Sequence, residues 1–332
     1  MKRTHLFSIF LVVVDPPYVE FFGFKERPFS LTPDENFFFP SRSHEQCLEY
    51  LGFFLRQNEP IALVYGDVGT GKTITSRKFI GSLDSERYNT ALILNPILDR
   101  SELLKEILRE LRISHEGDSP FREMYERLEG FLLEEHRKGK ATVLLVDEAQ
   151  LLSDETLDFI RVLSNFETGK EKLIQVIFFA QDDFLERIKR EGMKYLAQRI
   201  TVTFRLNPLA RDEILPYVNH RIYKAGLTGT FRCDEGAGRV MYELSGGNPR
   251  LLNLLCDRAL LLLYLQSKRR LTADVVRRAA YEPTLSHLIA ESMAGSKQRV
   301  HLFYALALAI ASMLFVCVRL GLIGRLLSLL SF

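Results

Sequence analysis

At 332 residues, with 47% hydrophobic and 26% charged side chains, the sequence is long enough for two domains and too apolar for a disordered chain. A formal net charge of +2 excludes an overall polycation or polyanion while leaving room for a local basic face. Cys47, Cys233, Cys256 and Cys317 are scattered without a CxxC pair, and the histidines lack HExxH spacing. Neither a zinc site nor a disulfide framework is expected, and a reducing compartment fits.

Met1 to Val14 joins early basic residues to the apolar run Leu6 to Val14, in the manner of a short signal peptide. Asp15-Pro16-Pro17 follows in place of a small-residue cleavage site, so residues 1–17 read as an extension from an upstream start codon or a weak membrane contact. The aromatic and proline-rich stretch Phe21 to Pro40 ends at Ser41, a suitable cap for a helix running to about Gln57. Short apolar runs then alternate with amphipathic segments. Strands are expected over Ile61–Tyr65, Ala91–Asn95, Thr142–Val146, Ile174–Ala180 and Ile200–Leu206, and helices over 101–112, 121–138 and 154–166. In the last helix Phe159, Val162 and Phe166 recur at helical spacing. This alternation predicts an α/β fold, a parallel sheet with helices on both faces. After Pro208 the strands are expected to stop. Residues 211–225, 234–244, 248–266 and 272–280 read as helices only, a small all-helical domain.

Between the first strand and the next helix lies Gly66-Asp67-Val68-Gly69-Thr70-Gly71-Lys72-Thr73, which satisfies the G-x-x-x-x-G-K-[ST] phosphate-loop pattern in its confirming context. Glycine lets backbone N–H groups turn inward around phosphate oxygens, and the helix N-terminus adds its dipole. In such a loop Lys72 meets the β- and γ-phosphates of ATP, and the Thr73 hydroxyl ligates Mg2+. The third strand ends in Asp147-Glu148. Strand alternation places the two carboxylates on opposite sides, which suits a division of labour. Asp147 would orient Mg2+ through its water, and Glu148 would align and deprotonate the attacking water.

Together with that loop, Asp147-Glu148-Ala149-Gln150 and Gly246-Gly247-Asn248-Pro249-Arg250 resemble the AAA+ ATPases of the general secretion pathway protein A (ExeA) group. Phe22-Gly23, Pro28-Phe29, Thr32-Pro33-Asp34 and Ser43-His44 resemble that group's opening signature, and the resemblance spans about residues 18–282. It implies a P-loop NTPase (AAA+) nucleotide-binding domain over 18–207 and a helical lid over 208–282, followed by a linker over 283–300. It also implies three coupling residues. Gln181, at the end of the fourth strand, matches the polar γ-phosphate sensor, although a turn or capping glutamine fits the sequence equally. Arg199, in Gln198-Arg199-Ile200, matches an arginine finger offered to a neighbouring subunit, and a solvated surface arginine competes with that reading. Arg250 falls in the first turn of a lid helix, where a cation gains nothing from the helix dipole and a γ-phosphate contact supplies the reason for it. Phe37, Phe38 and Phe39 fit either a core or a surface against the nucleobase.

Residues 302–318 carry no charge, which predicts a transmembrane helix over 301–324 and a tail over 325–332. Basic residues flank the span on both sides, so only the cytoplasmic need of an ATP site orients it. The expectation is a single-pass protein of the bacterial inner membrane that forms an ATP-dependent homo-oligomer, ring or dimer. It would energise or switch a secretion, pilus or exopolysaccharide assembly system built of membrane proteins. Longer relatives carry a peptidoglycan-binding domain beyond the span, so a separate partner would supply wall contact here. The alternative is a DNA-associated regulator resembling transposition or replication-loader ATPases, using Lys268-Arg269-Arg270 and Arg277-Arg278 as a basic edge. A third reading, a nucleotide-binding scaffold without turnover, leaves Glu148 unexplained.

Overall fold

The computed structural model describes residues 15–94, 96–115, 119–282 and 285–290. The segments 1–14 and 301–324, for which a membrane contact and a transmembrane helix are expected, lie outside them. Among the described residues no helix is long and apolar enough to cross a membrane.

In chain order the elements are α1 (Tyr18–Phe22), α2 (Arg42–Arg56), β1 (Ile61–Tyr65), α3 (Lys72–Ser82), β2 (Tyr88–Ile93), α4 (Arg100–Glu110), α5 (Phe121–Arg137) and β3 (Ala141–Val146). There follow α6 (Asp154–Leu163), β4 (Ile174–Ala180), α7 (Asp182–Ile188), α8 (Lys194–Ala197), β5 (Ile200–Arg205) and α9 (Ile214–Lys224). The last are β6 (Arg232–Cys233), α10 (Glu235–Ser245), α11 (Pro249–Leu265), β7 (Arg270–Leu271) and α12 (Ala273–Ala280).

The first five strands form one parallel sheet in the order β2-β3-β4-β1-β5. β1, β3 and β4 read as nearly continuous apolar runs because both faces are covered, whereas the edge strand β5 alternates, with Thr201, Thr203 and Arg205 exposed. Leu144 and Val146 join a core with α4, α5 and α6, whereas Val143 and Leu145 join one with α2 and α3. Local signals set the helix starts. Ser41 Oγ accepts from the His44 N–H at α2, Asp99 and Glu102 form a capping box at α4, and Ser153 caps α6.

Three expectations are corrected. The second strand runs Tyr88–Ile93, three residues earlier at its start than the apolar run suggested, because it pairs with the whole of β3 from Tyr88↔Ala141 onward. The third helix, α6, stops at Leu163, and Phe166 is buried by a reverse turn, where the Leu173 N–H donates to Phe166 O at 2.8 Å. The helical region is not all-helical, since β6 and β7 form a two-stranded parallel pair. Two residues per strand are too few to show a period in sequence.

The helices after the sheet share a core with the beginning of the chain. Tyr18, Phe22, Phe24 and Phe29 are buried with Val218, Leu252, Cys256 and Val276. The Tyr18 hydroxyl donates to the Asp257 carboxylate, and Arg27 pairs with the same group at 3.3 Å. Burial and that contact push the Tyr18 phenol well above its usual range. Residues 31–41 then pass from this helical core across to α2, over the C-terminal ends of the strands.

Candidate active site

A cleft of about 390 Å³ lies where that crossing segment, the loop after β1 and the start of α11 meet. Its lining includes Gly69, Lys72, Thr73, Glu148 and Arg250, together with the apolar Leu31, Pro33, Phe38 and Phe39.

The loop after β1 is shaped from three sides. Within it, the Thr70 hydroxyl donates to Asp67 O at 2.9 Å, and Lys72 Nζ donates to Gly66 O at 2.9 Å and Asp67 O at 3.0 Å. Gly71, at φ +100°, backs against His44, and a Cβ there would lie 2.7 Å from His44 Nε2. Gly69, at φ +85°, backs against α11, where a Cβ would lie 2.7 Å from Arg250 Cβ. Glycine is therefore required at both positions by conformation and by close neighbours, beyond the openness that a phosphate needs.

His44 holds the loop from below. Its Nε2 lies 3.2 Å from Thr70 O and must donate there, which makes Nδ1 an acceptor for the Ser41 hydroxyl at 2.5 Å. Burial lowers its pKa to about 4, so the ring is neutral at physiological pH.

At the end of β3, Asp147 is buried and accepts hydrogen bonds from the Thr73 hydroxyl and from the Glu148 N–H, the latter at 3.0 Å. Burial raises its pKa, and these two bonds oppose that rise. Burial also lowers the pKa of Lys72, against the attraction of Glu148 and Asp147. The strand ends at Val146, and Glu148 adopts left-handed backbone at φ +51°. Both acids therefore lie in a turn, beyond the strand's pleat. Left-handed backbone costs a non-glycine residue roughly 1 kcal/mol, held here by the fold around it.

Gln181 Nε2 donates to Glu148 Oε2 at 3.2 Å, and its side chain makes no cap on α7 even though it occupies the capping position. Arg250 is exposed in the first turn of α11 beside Gly69. Arg199 is placed elsewhere. It precedes Ile200, which pairs with Ile61 at the start of β1, whereas the phosphate-type loop follows Tyr65 at the far end. The length of β1, roughly 13 Å of strand, separates it from its own chain's cleft.

Sequence reasoning passed over two residues here. Asn248, read only as part of a turn, caps α11 and also donates its side-chain amide to Val68 O at 2.7 Å. An asparagine directly before a proline was the available signal. Gln150, quoted only as part of a motif, donates to Glu148 Oε2. All three residues of the aromatic run line the cleft: Phe37 is buried beneath the Arg221 guanidinium, and Phe38 and Phe39 form T-shaped contacts with His44 and Tyr217.

The AAA domain family matches residues 55–188, the stretch that carries Lys72, Asp147, Glu148 and Gln181. The chain is similar to AAA domains over this stretch. It is 35% identical over 265 residues to General secretion pathway protein A of Aeromonas hydrophila, a match covering 80% of this chain and 48% of that protein. This bears out the resemblance carried by the motifs, although the chain spans only about half the length of that relative. Among solved structures, Cdc6p from Pyrobaculum aerophilum is similar with a TM-score of 0.60 at 21% identity, covering 77% of this chain and 70% of that one. The ORC2 protein of Aeropyrum pernix gives 0.58 at 16% identity, covering 77% and 71%. At such identities the likeness is one of fold.

Three arginines of the basic edge considered for DNA are engaged within the chain itself. Arg269 donates to Phe21 O at 2.7 Å, Arg270 pairs with Asp234 at 2.8 Å, and Arg278 pairs with Asp274.

Proposed function

We propose that this chain hydrolyses ATP with Mg2+ and uses the cycle to move its helical lid, serving as a membrane-tethered switch or motor in envelope assembly. The observation that carries the ATP-driven part is that Lys72, Thr73, Glu148 and Arg250, drawn from the sheet and from the lid, line a single cleft.

In this reading the backbone N–H groups of Gly66 to Thr73 surround the β-phosphate, and Lys72 leaves its carbonyl partners for the β- and γ-phosphate oxygens. Thr73 and Asp147, already joined by a hydrogen bond, offer the hard oxygen ligands that suit Mg2+. The bound ion supplies charge neutralisation at the phosphates. Glu148 takes a proton from the attacking water. Gln181 senses the γ-phosphate, because its amide sits on Glu148 and can exchange that partner for a phosphate oxygen. Arg250 contacts the γ-phosphate from the lid, so its hold ends on hydrolysis.

Arg199 acts on a second copy. It cannot serve its own cleft, and a guanidinium entering from a neighbour would stabilise charge on the transferred phosphoryl. The chain is then a homo-oligomer with shared sites. The segment 301–324 anchors it in the bacterial inner membrane with the ATPase domain in the cytoplasm. Likeness to General secretion pathway protein A supports a role with secretion or envelope-assembly membrane proteins. The DNA-associated alternative finds less support, since Arg270 and Arg278 are paired with Asp234 and Asp274 and no relative at comparable identity points to it.

Mixing two inactive full-length variants tests this reading. Glu148→Gln keeps its own Arg199, and Arg199→Ala keeps its own Glu148, so the mixture should regain a substantial fraction of wild-type ATP turnover. A mixture as inactive as its components would remove the shared site.

A further inference from the structure

Two side-chain amides converge on one oxygen of Glu148. Gln181 Nε2 reaches Oε2 at 3.2 Å from the end of β4, and Gln150 Nε2 reaches the same Oε2 from the turn directly after the acid pair. Both of these bonds fall on Oε2, and Glu148 lines the cleft. The orientation of the Gln150 amide is dictated by its partners. Its Oε1 accepts from the Gln181 backbone N–H at 3.2 Å, which can only donate, so its Nε2 must face the carboxylate, which can only accept. The turn that carries Gln150 is itself anchored. Arg187 Nη1 donates to Gln150 O at 3.0 Å while its Nε holds Asp154 at 2.9 Å.

We infer that Gln150 is a positioning residue for ATP hydrolysis, one that pins Glu148 Oε2 and leaves Oε1 as the oxygen that takes the proton of the attacking water. The inference rests on Glu148 being the base. Its physical basis is the backbone of Glu148 itself. At φ +51° the residue sits in a sparsely populated conformation, and its flexible side chain would otherwise sample several rotamers around a strained turn. A bond from a fixed amide removes that freedom. It also occupies one oxygen and so leaves the other to meet the water. Gln181 and Gln150 differ in permanence. Gln181 must give up Glu148 to meet a γ-phosphate, whereas Gln150, bonded to the backbone at the end of β4, keeps hold of the acid while that exchange occurs. Removing Gln150 therefore harms the step in which water attacks, and leaves nucleotide binding alone.

The experiment compares full-length wild type, Gln150→Met, Glu148→Gln and the double variant, measuring kcat, KM, ATP binding and thermal stability. Methionine matches glutamine in length and makes neither bond. Losing a hydrogen bond to a charged group predicts that Gln150→Met lowers kcat by about ten- to a hundredfold, with KM, binding and melting temperature unchanged. Gln150→Glu, which keeps the acceptor but sets a second carboxylate against Glu148, should fall at least as far. In the Glu148→Gln background, Gln150→Met should add little, because it acts through the acid. A kcat within about twofold of wild type in Gln150→Met, or a rise in kcat, would overturn the inference. So would a loss confined to KM or stability, or an equal loss in both backgrounds. If Glu148→Gln itself turns over normally, it is the assignment of Glu148 as base that fails, a different outcome.

Discussion

Asn248 joins the lid to the phosphate loop through one side chain: its Oδ1 accepts from the Arg250 N–H at 3.0 Å, and its Nδ2 donates to Val68 O at 2.7 Å. The cap that starts α11 is thus also the latch that sets Arg250 over the loop. A shift of Val68 would be transmitted to α11 through this amide, and a movement of α11 would be transmitted back.

Asn248→Asp separates the two tasks. Aspartate still caps the helix but cannot donate to Val68 O, so thermal stability should hold while KM for ATP rises several-fold. Asn248→Ala loses both, with a further loss of about 1 kcal/mol of stability from the missing cap. Melting curves and ATP titrations check the pair; equal KM values for wild type and Asn248→Asp would discount the latch.

Glycines at different places should respond oppositely to alanine. Gly69→Ala forces a side chain into backbone at φ +85° and against Arg250, and should weaken ATP binding by at least about tenfold, equivalent to the roughly 1–2 kcal/mol cost of left-handed backbone. Gly130, inside α5 with nothing within 4 Å of an added Cβ, should instead stabilise the protein by about 1 kcal/mol as alanine. Nucleotide binding and chemical denaturation measure the two.

His44 makes stability depend on pH. Its pKa is about 4 in the fold and 6.5 when exposed, so below 6.5 the unfolded chain binds the extra proton. The stabilisation is complete above pH 6.5 and declines as pH falls from there towards 4. Between pH 7.5 and 5 the wild type should lose about 2 kcal/mol more than His44→Gln, which can still donate to Thr70 O but does not titrate. Urea unfolding at both values tests this, and parallel slopes would reject it.

Phe22, fully buried among the lid helices, should cost about 3–5 kcal/mol when replaced by alanine, as deep core aromatics do. The prediction distinguishes a lid residue from a loose leader. A loss below about 1 kcal/mol in chemical denaturation would mean that the opening segment does not stabilise the lid.

The sheet was legible because strands covered on both faces read as uninterrupted apolar runs, and β1 and β4 end where those runs end. The glycine-rich loop between β1 and α3 was legible because its residues are consecutive. What escaped notice depends on contacts distant in sequence. Nothing near Phe22 announces that it packs with Cys256, and nothing near His44 announces that it packs on Gly71. The short pair β6–β7 lacks a period to read, and Phe166 kept helical spacing beyond a helix that stops at Leu163. Arg199 was visible as a residue but not as one placed at the opposite end of β1 from the loop, which only the strand register reveals.

The central claim, that Lys72 and Glu148 serve one ATP-hydrolysing site, is tested most directly by ATP binding and phosphate release measured side by side on the full-length protein. Lys72→Ala should abolish binding. Glu148→Gln should bind ATP like the wild type and release phosphate at least about a hundredfold more slowly, the usual effect of losing a general base. Ordinary phosphate release by either variant would contradict the account.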